Sequence, residues 1–116
     1  MKSHEVIEFQ APTAENNYTW YRKYADGWVE MGGLATIPSR TGAGSSDTII
    51  SFPVTMSNSN YTAQLSYQNG GSGYAQSGIT FTGKSTTGAH LSYYTNIAGT
   101  TDAFLVAWEV KGMAAS

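Results

Sequence analysis

The stretch Asn17–Gly33, NYTWYRKYADGWVEMGG, decides the fold of this chain. Two sets of side chains alternate along its first half, which is typical of a strand with two different faces: Tyr18, Trp20, Arg22 and Tyr24 against Thr19, Tyr21 and Lys23. Asp26-Gly27 predicts a tight turn, because Gly accepts positive φ and Asp-Gly between alternating runs is a strong hairpin signal. A second strand follows from Trp28 to Met31, and Gly32-Gly33 ends it, either as a turn or where another backbone comes close. The stretch therefore predicts a β-hairpin.

Further strands are predicted on both sides of this hairpin. Residues 3–10 fit a short strand or an extended arm, and Ser39–Ser46 has the Gly and Ser content of a flexible surface loop. Short alternating or β-branched runs predict the later strands: Ile49–Val54, Tyr61–Tyr67, Ile79–Gly83, Thr87–Tyr94 and Ala103–Lys111. The last is the clearest core strand, because its large apolar residues share one face. No window has helical spacing of apolar residues, so we predict an all-β fold, a small antiparallel β-sandwich.

Length and composition limit the classes of protein that fit. A chain of 116 residues suits one domain. Charged residues are only 12% of the sequence and the net charge is −2 without a basic cluster, so nucleic-acid binding is disfavoured. No apolar run is long enough for a signal peptide or a membrane span, so we expect no membrane insertion. The absence of cysteine excludes disulfides and thiolate sites.

Residues for catalysis or metal binding are sparse. His4 and His90 are the only histidines, and their spacing does not suggest a zinc site. Glycan-cleaving enzymes need only a carboxylate pair, for which there are several candidates: Asp26, Glu30, Asp47, Asp102 and Glu109. Each also has an ordinary reading, as a turn or loop residue or as a strand residue that faces solvent or pairs with Lys or Arg. We therefore predict no enzyme, no metal and no cofactor.

Aromatic residues are more suggestive of binding. Three Trp and eight Tyr exceed what one small core needs, and sugar rings stack on such side chains. Tyr with Ser, Gly and Asn is also the composition of adaptable binding loops. Packing in the core or between subunits is the alternative for each Trp. The ligand-binding candidates lie on or near Gly-rich loops: Tyr74, Tyr93, Tyr94, Arg40 and Asn69.

Taken in order, three segments resemble the C-terminal domain of phage tail-fibre proteins. The first is the hairpin Trp20–Gly33, similar to that family's Trp-Tyr-Arg-Lys-Tyr-x-(Asp/Ser)-Gly-Trp-(Ile/Val)-Glu-x-Gly-Gly motif. The others are the Phe-Pro strand Ile49–Val54 and the aromatic-rich closing strand Ala103–Gly112. The hairpin is the specific part, and the resemblance covers roughly residues 5–112. It implies a β-sandwich shaped like invertebrate H-type lectins.

The resemblance also implies an assembly and a place in the virion. It implies a homotrimer, intertwined or side by side, at the distal end of a tail fibre made in the host cytoplasm. Residues 1–16 would be the arm that joins the fibre shaft and residues 17–116 the tip domain, so we expect an excised tip or an internally initiated product. The expected trimer contacts are Val6, Ile7, Phe9, Trp20, Arg22 and Met31. Met31 stands where the family commonly has Gln, which is consistent with a more buried or subunit-facing position.

The expected function is binding of bacterial surface carbohydrate, such as lipopolysaccharide or capsule, without catalysis. Three rivals remain at this stage. The domain could only nucleate and cap the trimer, it could be a glycan depolymerase, or it could be a soluble lectin unrelated to phage. No receptor-contacting residue transfers by motif, because the loops of this family vary.

Overall fold

A computed structural model describes residues 3–68, 79–95 and 98–116. Within them the chain forms short strands and one 3-10 turn at Ala14–Asn16. The strands are β1 (Val6–Gln10), β2 (Trp20–Tyr24), β3 (Trp28–Ile37), β4 (Arg40–Thr41), β5 (Gly44–Ser51), β6 (Thr62–Gln68), β7 (Ile79–Thr82), β8 (Gly88–Thr95), β9 (Thr100–Thr101) and β10 (Phe104–Met113). Every strand pairing among these residues is antiparallel, which confirms the predicted fold class.

The predicted hairpin forms the centre of the larger sheet. This main sheet has the strand order β1-β2-β3-β10-β6. At the turn Gly27 has φ 95°, a conformation that favours glycine, and Asp26 Oδ1 accepts a hydrogen bond of 3.1 Å from the Trp28 backbone N–H. The prediction of an Asp-Gly turn is confirmed.

Gly32-Gly33 does not end the second strand, which continues to Ile37. A Cβ atom on Gly32 would stand 2.6 Å from the backbone oxygen of Trp108 and 2.8 Å from the indole Nε1 of Trp20. Glycine is therefore needed here because another backbone and a large side chain approach the strand closely. Of the two interpretations of this pair, the close approach is right and the turn is wrong.

The small sheet has the order β5-β8-β7, and β4 pairs with β9 in a two-stranded ribbon. The prediction of a flexible loop at Ser39–Ser46 is wrong, because β4 and the start of β5 lie within it. Arg40 orders this segment by donating hydrogen bonds to the backbone oxygens of its own turn: Gly42 (3.0 Å), Ala43 (3.0 Å) and Ser45 (2.7 Å). The strand expected at Ile49–Val54 likewise starts earlier and ends at Ser51.

The core lies between the main sheet and the small sheet. Inward residues of both sheets and of the 52–61 connection form it: Val29, Met31, Ile37, Ile50, Val54, Met56, Tyr61, Leu91, Tyr93, Val106, Trp108 and Val110. Burial of each large side chain contributes about 1.5–3 kcal/mol of transfer free energy. Three of these residues come from β10, which confirms the predicted core strand. Phe52 packs on Trp108 with ring centroids 5.9 Å apart and meets Tyr61 edge-on at 5.3 Å.

The N-terminal segment forms an edge strand. β1 pairs with β2 along the open side of the hairpin, which selects the strand over the extended arm. Val6, Ile7 and Phe9 are 47%, 61% and 58% exposed. β1 thus belongs to the same sheet as the hairpin. The division into an arm (residues 1–16) and a tip domain (residues 17–116) stays a prediction.

Candidate functional site

The outer face of the main sheet, which points away from the small sheet, is organised in rows across neighbouring strands. Strand register places Trp20 opposite Gly32, Gly32 opposite Glu109, and Glu109 opposite Gln64. Paired residues on adjacent strands point to the same side of a sheet. One row therefore runs from an aromatic residue over a glycine to a carboxylate and an amide: Trp20, Gly32, Glu109 and Gln64.

The next row on this face has a small residue, Ala107, at its centre. Ala107 pairs with Leu34 on one side and with Ser66 on the other. These three residues line a groove of about 710 Å³, which we call the outer-face groove. Its lining is apolar toward β2 and β3, from Pro12, Tyr18, Trp20 and Leu34, and polar toward β6 and β10, from Gln64, Ser66 and Glu109. The volume falls within the usual range of small-ligand sites.

A cluster of charged and aromatic side chains flanks the groove. Glu30 accepts hydrogen bonds from Tyr24 Oη (2.9 Å) and Arg22 Nε (3.2 Å), and from Trp28 Nε1 at 3.4 Å. Burial acts to raise the pKa of Glu30, but these hydrogen bonds outweigh it and hold that pKa below its usual value. The Arg22 guanidinium also lies 4.9 Å from the centre of the Trp20 ring, in a cation–π contact.

Glu109 connects the groove with a second, smaller hollow. The hollow measures about 150 Å³ and is lined by Trp28, Thr62, Gln64, Glu109 and Lys111. Lys111 Nζ lies 3.1 Å from Glu109 Oε1, and this hydrogen bond raises the pKa of Lys111. Glu109 and Gln64 line both spaces, so groove and hollow form one continuous surface between Trp20 and Trp28.

The carboxylates that could form a catalytic pair have other partners. Glu30 is surrounded by donors that favour its ionised form, which does not suit a general acid. Asp26 holds the hairpin turn and lies 2.6 Å from His4 Nδ1. Asp47 Oδ1 accepts a hydrogen bond of 2.9 Å from Ser92 Oγ. Glu109 Oε1 lies 3.1 Å from Lys111 Nζ.

The ligand-binding predictions have mixed outcomes. Tyr93 is 1% exposed and packs edge-on against Phe104 at 5.1 Å, so its prediction as a surface contact is wrong. Alternation along β8 turns Tyr93 into the core and Tyr94 outward, where it is 53% exposed. Asn69 and Tyr74 lie outside the described residues.

Arg40 and Tyr94 lie at the same end of the molecule, which we call the loop end. Ser45 pairs with Tyr94 across β5 and β8, and Arg40 Nη1 donates to the Ser45 backbone oxygen. The connection 38–43 joins β3 to β5 there, and the connection 96–103 joins β8 to β10, with Arg40 paired to Thr101 between them. Gln68, the last residue of β6, pairs with Leu105 at this end.

The predicted trimer contacts lie in three different parts of the structure: the core, the outer face and the edge strand β1. Met31 is fully buried in the core of its own chain, so its prediction as a subunit contact is wrong. Pairing with Tyr21 and Val110 places Met31 on the inner face. Trp20 and Arg22 lie on the outer face, and these two residues and the exposed residues of β1 remain predicted contacts.

Sequence reasoning missed the polar side of the groove. Alternation in Tyr61–Tyr67 already separates Gln64 and Ser66 from the apolar set, and alternation in β10 separates Glu109 from the core face. The missing information is the pairing of β6 with β10 and of β10 with β3, which joins distant segments. A strand pattern fixes the face of a residue but not its neighbours on that face.

Metal and membrane sites are not found in the described residues. Residues 3–68, 79–95 and 98–116 contain no group of three or more His, Cys, Asp or Glu placed to hold a metal ion. Within the same ranges no helix has the length and apolar content to cross a bilayer.

Solved structures share this architecture. The N-truncated R1-type pyocin tail fibre superimposes with a TM-score of 0.62 at 12% identity, over 81% of this chain and 79% of that one. The tailspike protein gp49 from Pseudomonas phage LKA1 gives 0.60 at 18% identity, over 71% and 14%. The N-truncated R2-type pyocin tail fibre gives 0.55 at 17% identity, over 93% and 39%. The chain shares its fold with the matched parts of these tail-fibre and tailspike proteins.

Comparison of the sequence alone does not assign the chain to a family. No protein-family model matches the chain, and no curated protein matches it. The chain spans most of the R1-type fragment but only 14% and 39% of the other two proteins. At these identities the likeness establishes the fold, and function depends on the surfaces described above.

Proposed function

We propose that this chain is the receptor-binding tip domain of a phage tail fibre, which assembles as a homotrimer and binds bacterial surface carbohydrate without catalysis. The single observation that carries the proposal is the fold shared with two pyocin tail fibres and a phage tailspike. The domain would stand at the distal end of the fibre in the virion, after synthesis in the host cytoplasm. Lipopolysaccharide and capsule are the proposed receptor classes.

Two surfaces of the described chain suit this function. At the loop end, Tyr94 presents an exposed aromatic ring, while Arg40 holds the neighbouring turn in shape. On the outer face, the groove offers aromatic and polar groups side by side. The predicted ligand contacts Asn69 and Tyr74 lie outside the described residues and stay predictions.

Weak binding at one site is compatible with firm adsorption. Three copies in a tip, and several fibres on a particle, raise the overall avidity by effective concentration without any new contact. The exposed apolar side chains Val6, Ile7 and Phe9 on the edge strand β1 support assembly, because unpaired edges with apolar residues tend to pair with another chain.

Adsorption of the purified domain to host cells tests the proposal. We expect labelled domain to bind cells, to compete with phage particles, and to lose binding after chemical removal of surface polysaccharide. Tyr94→Ala should weaken loop-end binding, whereas Ile49→Ala, an exposed change on the same sheet, is the matched control. Intact trimers that never adsorb would indicate a capping domain, and shortening of host polymer on incubation would indicate a depolymerase.

A further inference from the structure

We propose that the outer-face groove binds a pyranose saccharide that is neutral or carries an amine, and that it rejects acidic sugars. This inference rests on the proposed function for the source of the saccharide, a bacterial surface glycan. The site itself is a separate surface from the loop end.

The two sides of the groove match the two sides of a sugar ring. A pyranose has a C–H face that stacks on aromatic rings and an edge of hydroxyl groups that need hydrogen bonds. Trp20 and Tyr18 supply aromatic surface toward β2. Gln64 and Glu109 supply an amide and a carboxylate toward β6 and β10, within reach of hydroxyls on the same ligand.

The spacing of the strands fits a ligand longer than one ring. Trp20 and Gln64 are separated by three strand-to-strand steps, since they lie on β2 and β6 with β3 and β10 between them. At about 4.8 Å a step, their backbones are about 14 Å apart. The Trp20 indole lies over Gly32, and the small residue Ala107 lines the groove beyond it, so that a ligand laid across the strands meets both ends.

The charge of the lining selects among sugars. Among the described residues that line the groove, Glu109 is the charged one. A carboxylate accepts hydrogen bonds from hydroxyl and ammonium groups but repels another carboxylate or a phosphate. Lys111 Nζ lies 3.1 Å from Glu109 Oε1 and partly offsets its charge, but Lys111 lines the neighbouring hollow, so Glu109 is the charged group that an acidic sugar in the groove would meet.

Binding of the intact assembled domain to an array of defined oligosaccharides tests the inference. The array carries neutral glucose, rhamnose and N-acetylglucosamine oligomers, glucosamine oligomers with free amines, and galacturonate oligomers. We expect signals from neutral or amino sugars, confirmed by titration in solution. No signal, or a galacturonate signal as strong as those of the neutral oligomers, would overturn the inference.

Variants then locate the bound sugar. Ala107→Tyr fills the groove without removing a hydrogen bond and should weaken binding by about ten-fold or more, as should Trp20→Ala. Leu105→Tyr places the same ring on the same face of β10, outside the groove, and should leave affinity within about two-fold. Glu109→Gln should weaken amino sugars most. Unchanged affinity in Ala107→Tyr would contradict the site.

Mass measurement and cell adsorption separate this inference from the proposed function. If Ala107→Tyr splits the oligomer, the groove is a subunit contact and the inference is wrong. If wild-type domain adsorbs to cells and Ala107→Tyr adsorbs equally, the groove inference fails while the proposed function stands. If the wild-type domain does not adsorb to cells but binds sugars, and Ala107→Tyr weakens that sugar binding, the proposed function fails and the inference stands.

Discussion

Replacement of Gly32 by alanine tests the close packing beneath the outer-face groove. The new Cβ would stand 2.6 Å from the Trp108 backbone oxygen and 2.8 Å from Trp20 Nε1. Both distances are well inside normal van der Waals separation. The backbone oxygen belongs to a central strand, so relief requires β3 and β10 to shift, whereas the indole can swing away only by leaving the Arg22 guanidinium.

Overpacking of this kind destabilises by about 1–3 kcal/mol. If Trp20 moves, breaking its cation–π interaction with Arg22 accounts for about 0.5–1 kcal/mol of this, and distortion of the strand pair accounts for the rest. Urea or thermal unfolding followed by tryptophan fluorescence, at one fixed protein concentration, measures the change. A fall in Tm of about 4–12 °C is expected for a chain of this size.

Two further variants make this result decisive. Gly99→Ala is the control, because nothing lies within 4 Å of its added Cβ, and its stability should stay within about 0.5 kcal/mol of wild type. In a Trp20→Ala background the penalty of Gly32→Ala should become smaller but should not vanish, since the clash with the Trp108 oxygen remains. Wild-type stability of Gly32→Ala would refute the close approach of these strands.

Three other outcomes follow from burial and charge. Leu91→Ala should destabilise by about 2–5 kcal/mol in urea unfolding, because Leu91 is fully buried between the sheets, whereas the exposed Ile49→Ala should be nearly neutral. Hydrogen bonds hold the pKa of Glu30 below its usual value, so the stability that Glu30 contributes is fully present above its unfolded pKa and disappears as the pH falls through its folded pKa. Glu30→Gln should therefore lose less stability than wild type as the pH falls from neutral through the acid range in which Glu titrates, and equal acid sensitivity of the two would contradict the network. Phe9→Asp should reduce the oligomer mass measured at micromolar concentration, and an unchanged mass would remove the edge strand β1 from the subunit contacts.

Local patterns predict most of the fold. The Asp-Gly turn and the core strand at Ala103–Lys111 are each predicted from a few neighbouring residues, and both predictions are confirmed. The segment Ser39–Ser46 is harder, because Gly and Ser content suggests flexibility while its order comes from one side chain, Arg40. That guanidinium bonds three backbone oxygens around a turn, which composition does not reveal.

The candidate site is harder to predict than the fold. Tyr93 and Tyr94 are adjacent and identical in chemistry, and only the direction of the pleat separates a core residue from an exposed one. Glycine pairs likewise have two interpretations until the partner strand is known, as at Gly32-Gly33. The groove combines β2, β3, β10 and β6, which are far apart in sequence, so no single window of sequence contains it.

Strict alternation along β10 separates the residues that fold the domain from those that face the groove. Val106, Trp108 and Val110 maintain the core, while Ala107 and Glu109 between them face the groove. Substitutions at the outward positions alter recognition without opening a cavity in the core. If the groove binds a saccharide as we propose, single codon changes in this strand would alter its specificity while the same strand still folds the domain. Ligand specificity and folding would then evolve on separate, interleaved sets of residues.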